Sequence, residues 1–244
     1  MKKAKSILQG FRQETIRKFL QIAALMVAHY IKQLESGNRV EIVISKGNRK
    51  IGYVPNVSLM PMLTCPNCRH CKSLCYDIKA CLQYANVLRA RAKNTALLLN
   101  APSEYWAQIN AYLDHTKKTV FRFHVGGEIK DFRYFLDLIE TVKSHPNIRF
   151  WTYTKSYAIV NQWIHENGNL PSNLSVMFSV WKEKDSKGNI RTIEFPNPYN
   201  LPTFTIRFAE EKKPNMMKCK GDCQYCIDHN CGCIARQSVY ADAH

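Results

Sequence analysis

The sequence predicts an α/β protein: a partial or complete (βα) barrel with a long N-terminal helix and a cysteine-rich, metal-binding C-terminal tail. Three observations predict it. Residues 11–34 repeat apolar side chains at helical spacing, and from residue 103 onward short β-branched or aromatic runs alternate with amphipathic segments. All ten cysteines fall in two runs, Cys65 to Cys81 and Cys219 to Cys233. Repeated strand–helix units with near-continuous apolar strands call for a parallel sheet, whose ligand sites gather at the strand C-terminal ends.

The first helix is marked by Phe11, Ile16, Phe19, Leu20, Ala23, Val27, Tyr30, Ile31 and Leu34, and it stops at Ser36-Gly37-Asn38. Residues 39–45 alternate and are β-branched, and Lys46-Gly47-Asn48 turns them into 50–54, which predicts a hairpin. The first cysteine run then forms a loop leading into a helix over 78–99. Thereafter the pattern predicts helix 103–115, strand 119–124, helix 131–144, strand 148–154, helix 156–166 and strand 174–180. A polar stretch punctuated by Pro and Gly, 182–202, precedes a last strand at 203–207. This order puts His124 to Glu128 and Thr152 to Lys155 on one rim of the sheet. In the second of these segments Trp151, Tyr153 and Lys155 share one face, and the two aromatics are expected to pack under flanking helices. Residues 1–210 are thus read as a barrel-like domain carrying the first cysteine cluster. Residues 211–244 are read as a basic, cysteine-rich extension packed on it and organised by metal.

With 244 residues and 45% apolar content, the chain can bury a full core without covalent staples. The cysteines therefore read as metal ligands, because C-x2-C and C-x3-C pairs converge thiolates on one ion whereas disulfides join distant segments. No secretory leader is visible, and the apolar segment 19–28 is only ten residues, too short to span a bilayer. A chain in the reducing cytoplasm, with no membrane partner, is expected. Lys and Arg total 35 against 19 Asp and Glu, a net charge of +16, which points to DNA, RNA or a nucleotide as partner. The basic residues are scattered (Lys2 to Lys5, Arg89 to Lys93, Lys182 to Lys187, Lys212 to Lys218), and nothing distinguishes DNA from RNA.

Cys65, Cys68, Cys71 and Cys75 have the C-x2-C-x2-C-x3-C spacing of bacterial ferredoxins, with Tyr76 where proline is usual. Zinc held by the same four thiolates is the rival reading. Cys81 falls within the following helix and reads as a buried core thiol. In the second run Cys219, Cys223 and Cys226 show C-x3-C-x2-C spacing. That spacing resembles the radical S-adenosylmethionine signature, in which three thiolates bind a [4Fe–4S] cluster and the fourth iron binds the cofactor. This triad follows the last strand, not the first, and Cys231 and Cys233 lie close enough to close a four-thiolate site. It reads as an auxiliary iron–sulfur cluster or a zinc site. Gly126-Gly127-Glu128 at a strand end admits close backbone approach and offers a carboxylate to an ammonium group, the alternative being a simple turn. His124 reads equally as a satisfied strand histidine.

Several segments together resemble the phage and prophage gene product 88 family. They are Pro55 to Leu59, Thr64-Cys65-Pro66, Cys71 to Tyr76, Asn86 to Arg91 with Asn94, Phe121 to Glu128, and Ile148 to Ser156, followed by a cysteine-rich end. The family looks like a radical S-adenosylmethionine-type barrel. The resemblance implies Cys65, Cys71 and Cys75 as the cluster-binding triad, with Cys68 an addition that could supply a fourth ligand. It also implies Gly126, Gly127 and Glu128 as the binding site for the methionine moiety. The expected protein is an iron–sulfur enzyme with one or two [4Fe–4S] clusters, S-adenosylmethionine and an external electron donor, acting on nucleic acid or a nucleotide. The alternative is a non-catalytic nucleic-acid-binding protein whose iron–sulfur or zinc sites only pin loops.

Overall fold

The computed structural model describes residues 13–48, 52–68, 71–185, 187 and 189–242; Lys2 to Lys5, Phe11, Lys50 and Ile51 lie outside them. Helix α1 (Gln13–Glu35) buries Ile16, Phe19, Ala23, Val27 and Tyr30 along one stripe and leaves Leu25 exposed on the other side. Among the described residues of the hairpin expected from 39–45 and 50–54, the pairing present is one antiparallel bridge, in which Ser45 and Asn56 exchange both backbone hydrogen bonds. The reason is competition for donors. The N–H groups of Ile42 and Val43 donate to the side chains of Gln108 and Asn94 instead of to a partner strand.

Strand β1 (Asn56–Val57) opens the sheet and leads into the first cysteine run. Helices α2 (Tyr76–Gln83), α3 (Ala85–Asn100) and α4 (Pro102–His115) carry the chain to β2 (Val120–Phe123). Helix α5 (Phe132–Ser144), β3 (Arg149–Thr154), α6 (Tyr157–Asn167) and β4 (Leu174–Ser179) follow in strict alternation. The polar stretch holds a separate antiparallel pair, β5 (Lys182–Lys184) with β6 (Ile190–Thr192), before β7 (Thr203–Arg207). The tail contributes β8 (Met217–Lys218), the short helix α7 (Cys223–Asp228) and β9 (Val239–Asp242).

The expected helix over 78–99 is broken at Tyr84, which is extended (φ −126°, ψ 108°). In an unbroken helix Asp77 and Arg91 would stand about 21 Å apart along the axis. The break folds α2 back so that their side chains meet at 3.1 Å.

Seven strands form one parallel sheet in the order β1-β2-β3-β4-β7-β9-β8. The sheet is open, with β1 and β8 at its edges, so the barrel expected as partial or complete is not closed among the described residues. Its two faces bury different cores. Phe121, Phe123, Phe150, Val176 and Phe178 pack with helix residues such as Leu97, Ile109, Phe135, Leu138 and Trp163. The alternate residues Val120, Trp151 and Met177 pack with Val54, Val239 and Cys233, and Tyr153 and Phe204 adjoin them. Trp151 and Tyr153 therefore lie under the C-terminal tail and not under flanking helices. A parallel sheet needs both faces covered. Helices cover one, and the cysteine-rich tail covers part of the other.

Candidate metal and cofactor sites

The loops after β1 and β2 are laced together. His124 N–H donates to Val57 O, Leu59 N–H donates to Gly126 O at 3.0 Å, and Ser58 Oγ accepts from the N–H groups of Val125 and Gly126. Met60 N–H donates to Thr95 Oγ1 and Thr64 Oγ1 donates to Met60 O, fixing the backbone from which Cys65 departs. Asn67 Nδ2 donates to Lys155 O at 2.9 Å, so the cysteine loop lies over the C-terminal end of β3. A 3-10 turn over Lys72–Leu74 then delivers Cys75 to the position before α2.

Burial raises the thiols of this loop. Cys75 is pushed up to about 11, with Asp77 and Cys71 adding to the effect and the N–H groups of Ile78 and Asp77 opposing it. Cys65 is raised further, first by burial and then by the charge of Glu128, with Cys75 and Cys71 contributing. Cys71 is raised by burial and opposed by the ammonium of Lys155. Cys65 and Cys71 thus feel the charge of Glu128, and Cys75 is linked to them through its effect on Cys65 and that of Cys71 on it. Cys68 sits beside Cys71, whose thiol lies 3.8 Å from the Cys68 carbonyl oxygen. Cys81 is a core thiol in α2, 2% exposed.

The Gly-Gly-Glu segment divides into two roles. A Cβ on Gly126 would collide with the Asp77 carboxylate, and one on Gly127 (φ +81°) would lie 2.6 Å from Leu59 Cβ and 3.0 Å from Leu59 O. Both glycines are therefore required by the approach of the cysteine loop to the β2 end. Glu128 is 8% exposed; its Oε1 accepts from Ile129 N–H and its Oε2 from Lys155 N–H, each at 2.8 Å. Burial raises its pKa against those donors, Thr154 and the Lys155 charge. With the Thr154 hydroxyl as a third donor, one of the roughly four lone-pair sites of the carboxylate is left for a further donor.

The tail builds a second thiol group. Cys219 N–H donates to Tyr240 O across β8 and β9, and Asp222 caps α7 through the N–H groups of Gln224 and Tyr225. Cys231 N–H donates to Cys226 O at 3.0 Å. Cys233 is pinned from both sides: Ser175 Oγ donates to its carbonyl at 2.6 Å, and Tyr153 OH lies 2.8 Å from its Sγ. Arg236 donates to the carbonyls of Pro171, Ser172 and Leu174, which seats this segment near the N-terminal end of β4. Burial raises Cys226 to about 12, with Cys231, Cys233 and Cys219 adding to it. Burial also raises Cys233 to about 11, opposed by the Tyr153 hydroxyl, with Cys219 and Cys223 adding to it.

Among the described residues no three or more His, Cys, Asp or Glu side chains are drawn together tightly enough to hold an ion. The donor chemistry of both runs nevertheless suits soft cations, since thiolates select zinc and iron–sulfur centres. Binding would require each set to close around the ion and to release protons.

Two supporting features have no simple sequence signal, and a third, His124, is the satisfied histidine the sequence allowed. The buried bidentate pair of Arg91 with Asp77 (3.2 and 3.1 Å) braces the start of α2. His124 (φ +58°) is a satisfied buried histidine, between Thr152 Oγ1 at 3.2 Å and Tyr134 OH at 2.9 Å; burial lowers it to about 3. Arg122 lies mid-strand on the tail-covered face, with its guanidinium 4.8 Å from the Tyr153 ring centre.

Fold and site together define an open parallel α/β protein with one cysteine run at a strand-end rim and a second in a tail that covers part of one sheet face. Residues 32–226 match the family model described as Gene product 88, and the chain belongs to that family. No curated protein and no solved structure matches this chain. Among the described residues, no helix is long and apolar enough to cross a membrane.

Proposed function

We propose that the protein is an iron–sulfur enzyme of the radical S-adenosylmethionine type acting on nucleic acid or a nucleotide, with a second thiolate-bound metal in its tail. The observation that carries this reading is the neighbourhood of Glu128. A buried carboxylate at the end of the second parallel strand acts electrostatically on Cys65 and Cys71 of the loop after the first. When bound, a [4Fe–4S] cluster supplies one-electron reduction of the S-adenosylmethionine sulfonium.

Cys65, Cys71 and Cys75 are the residues that would hold the cluster, and Cys68 is the spare thiol. Glu128 would accept a hydrogen bond from the cofactor's ammonium, whose charge would offset a carboxylate that burial now destabilises. Lys155 beside Cys71 offsets negative charge on the thiolates. The +16 net charge favours a polyanionic substrate.

The test is to reconstitute the full chain anaerobically with iron and sulfide, add dithionite and S-adenosylmethionine, and measure 5′-deoxyadenosine. Its formation, lost in Glu128→Ala and Cys71→Ser, supports the reading. Zinc-only protein that binds DNA or RNA with a steep salt dependence and needs no reductant would instead support the non-catalytic alternative. That alternative is favoured by the tail, where Tyr153 OH lies 2.8 Å from Cys233 Sγ and holds the segment against β3.

A further inference from the structure

We infer that the elbow between α2 and α3 is a docking surface for single-stranded nucleic acid, on which Tyr76 and Tyr84 stack bases and Lys79 and Arg89 hold phosphates. The inference deepens the nucleic-acid part of the proposed function, on which it rests, and names where the strand lies.

Exposure and charge single out this surface. Among the described residues, four of the nine large apolar or aromatic side chains that stand exposed are Leu74, Tyr76, Leu82 and Tyr84, which fall within eleven residues of chain. Tyr76 is 60% exposed and Tyr84 51%, and a tyrosine ring left in water offers its face to any base. Acid is withheld from the same stretch. Between Glu41 and Glu104 the sole Asp or Glu is Asp77, which is buried and paired with Arg91. Elsewhere exposed cations have carboxylate neighbours, as Lys18 has Glu14, Arg133 has Asp137 and Lys143 has Glu140. Lys79 and Arg89 are exposed, and neither forms an ion pair among the described residues.

The helices put these side chains on one surface. In α2, Asp77, Ile78 and Cys81 are buried, so Tyr76, Lys79 and Gln83, at i, i+3 and i+7, line the opposite, exposed face. Tyr84 follows directly at the break, and Arg89 lies one turn into α3. Because α2 folds back on α3 with Asp77 against Arg91, two steps toward the elbow on each side bring Lys79 level with Arg89. Tyr76 and Tyr84 stand about 12 Å apart at the helical rise, a span of three or four nucleotides at ~3.4 Å each. Tyr76 directly follows Cys75, so a strand on the elbow runs to the cysteine loop at the rim. Unopposed positive charge disfavours a second copy of this chain, whose like charge would face its own, and suits a polyanion whose bases cover the rings.

The test is fluorescence anisotropy of the full chain with labelled oligothymidine and oligouridine, using a DNA duplex of the same length as competitor. The expected result is that Tyr76→Ala and Tyr84→Ala each weaken binding by about fivefold to a hundredfold, while Tyr76→Phe and Tyr84→Phe stay near the parent. Lys79→Ala combined with Arg89→Ala should make the slope of log K against log salt shallower by about 1.4, the value for two phosphates on a single strand. The replaced side chains are exposed, so melting temperatures should match the parent, and Tyr199→Ala, exposed outside the elbow, should bind as the parent does. Tyr76→Ala and Tyr84→Ala proteins that bind within about twofold of the parent overturn the proposal, as does a parent that favours the duplex or binds neither oligomer. A parent that binds neither but self-associates, with Tyr76→Ala monomeric, assigns the surface to a second copy and overturns it too. The chemistry is scored apart. Oligomer binding by protein that forms no 5′-deoxyadenosine supports this surface and overturns the radical reaction, whereas 5′-deoxyadenosine without oligomer binding does the reverse.

Discussion

Replacing Gly126 by alanine separates the two explanations of the Gly-Gly-Glu segment. Its φ is ordinary, so only space is at issue, and the added methyl would occupy the position of the Asp77 carboxylate. That carboxylate cannot retreat freely: Arg91 holds it by two hydrogen bonds of 3.2 and 3.1 Å, and the side chains are 3% and 10% exposed. Breaking such a buried pair costs ~3–5 kcal/mol when one partner is lost, and displacement should approach the lower figure. Urea unfolding of metal-free Gly126→Ala is therefore expected to show a loss of about 3 kcal/mol. Asp77→Ala removes the obstructing group, so Gly126→Ala should add little in that background. The double variant should fall short of the sum by ~1 kcal/mol or more. A Gly126→Ala protein within ~0.5 kcal/mol of the parent, or strict additivity, would refute the packing argument and return the glycine to cofactor binding alone.

The strands were legible where β-branched and aromatic residues cluster, as in 148–154 and 174–180, because a buried parallel sheet demands them on both faces. The near-continuous apolar pattern said that both faces are covered but not by what. Trp151 and Tyr153 were accordingly assigned to helices when the tail covers them. Strand β1 escaped notice because two residues between Pro55 and Ser58 make no periodic signal. The break at Tyr84 was hidden as well, since no glycine or proline marks it and its cause is a pair fourteen positions apart. At the candidate site, cysteine spacing and the Gly-Gly-Glu run brought out Glu128 and the thiols. Arg122 was not legible, because a lone arginine in a strand has no motif.

His124, lowered to about 3 by burial, stays neutral in the folded chain while its unfolded counterpart takes up a proton below roughly pH 6.5. Its contribution is thus fully present above that pH and is lost as pH falls toward 3, on the order of 4 kcal/mol over the whole window. His124→Asn, which suits the left-handed backbone, should flatten the stability profile between pH 6.5 and 4 in chemical unfolding, and an unchanged slope would count against it. Gly52→Ala should loosen the tail, since its Cβ would lie 2.6 Å from Gln224 N at the start of α7. Hydrogen exchange over 219–236 should speed up while α5 and α6 stay protected. Because burial holds Cys75 and Cys233 near 11 and Cys226 near 12, bound metal must displace protons, and affinity should rise by up to about tenfold per pH unit for each proton released. A chelator competition that is flat from pH 6.5 to 8.5 would contradict that coupling.

Electron paramagnetic resonance of the anaerobically reconstituted, dithionite-reduced protein, recorded with and without S-adenosylmethionine, tests most directly whether Cys65, Cys71, Cys75 and Glu128 form one cofactor site. The expected result is a reduced [4Fe–4S] signal that survives Cys68→Ser, disappears in Cys71→Ser, and is shifted by the cofactor in the parent but not in Glu128→Ala. A rim signal that requires Cys68 as much as Cys71 and does not respond to S-adenosylmethionine would contradict it.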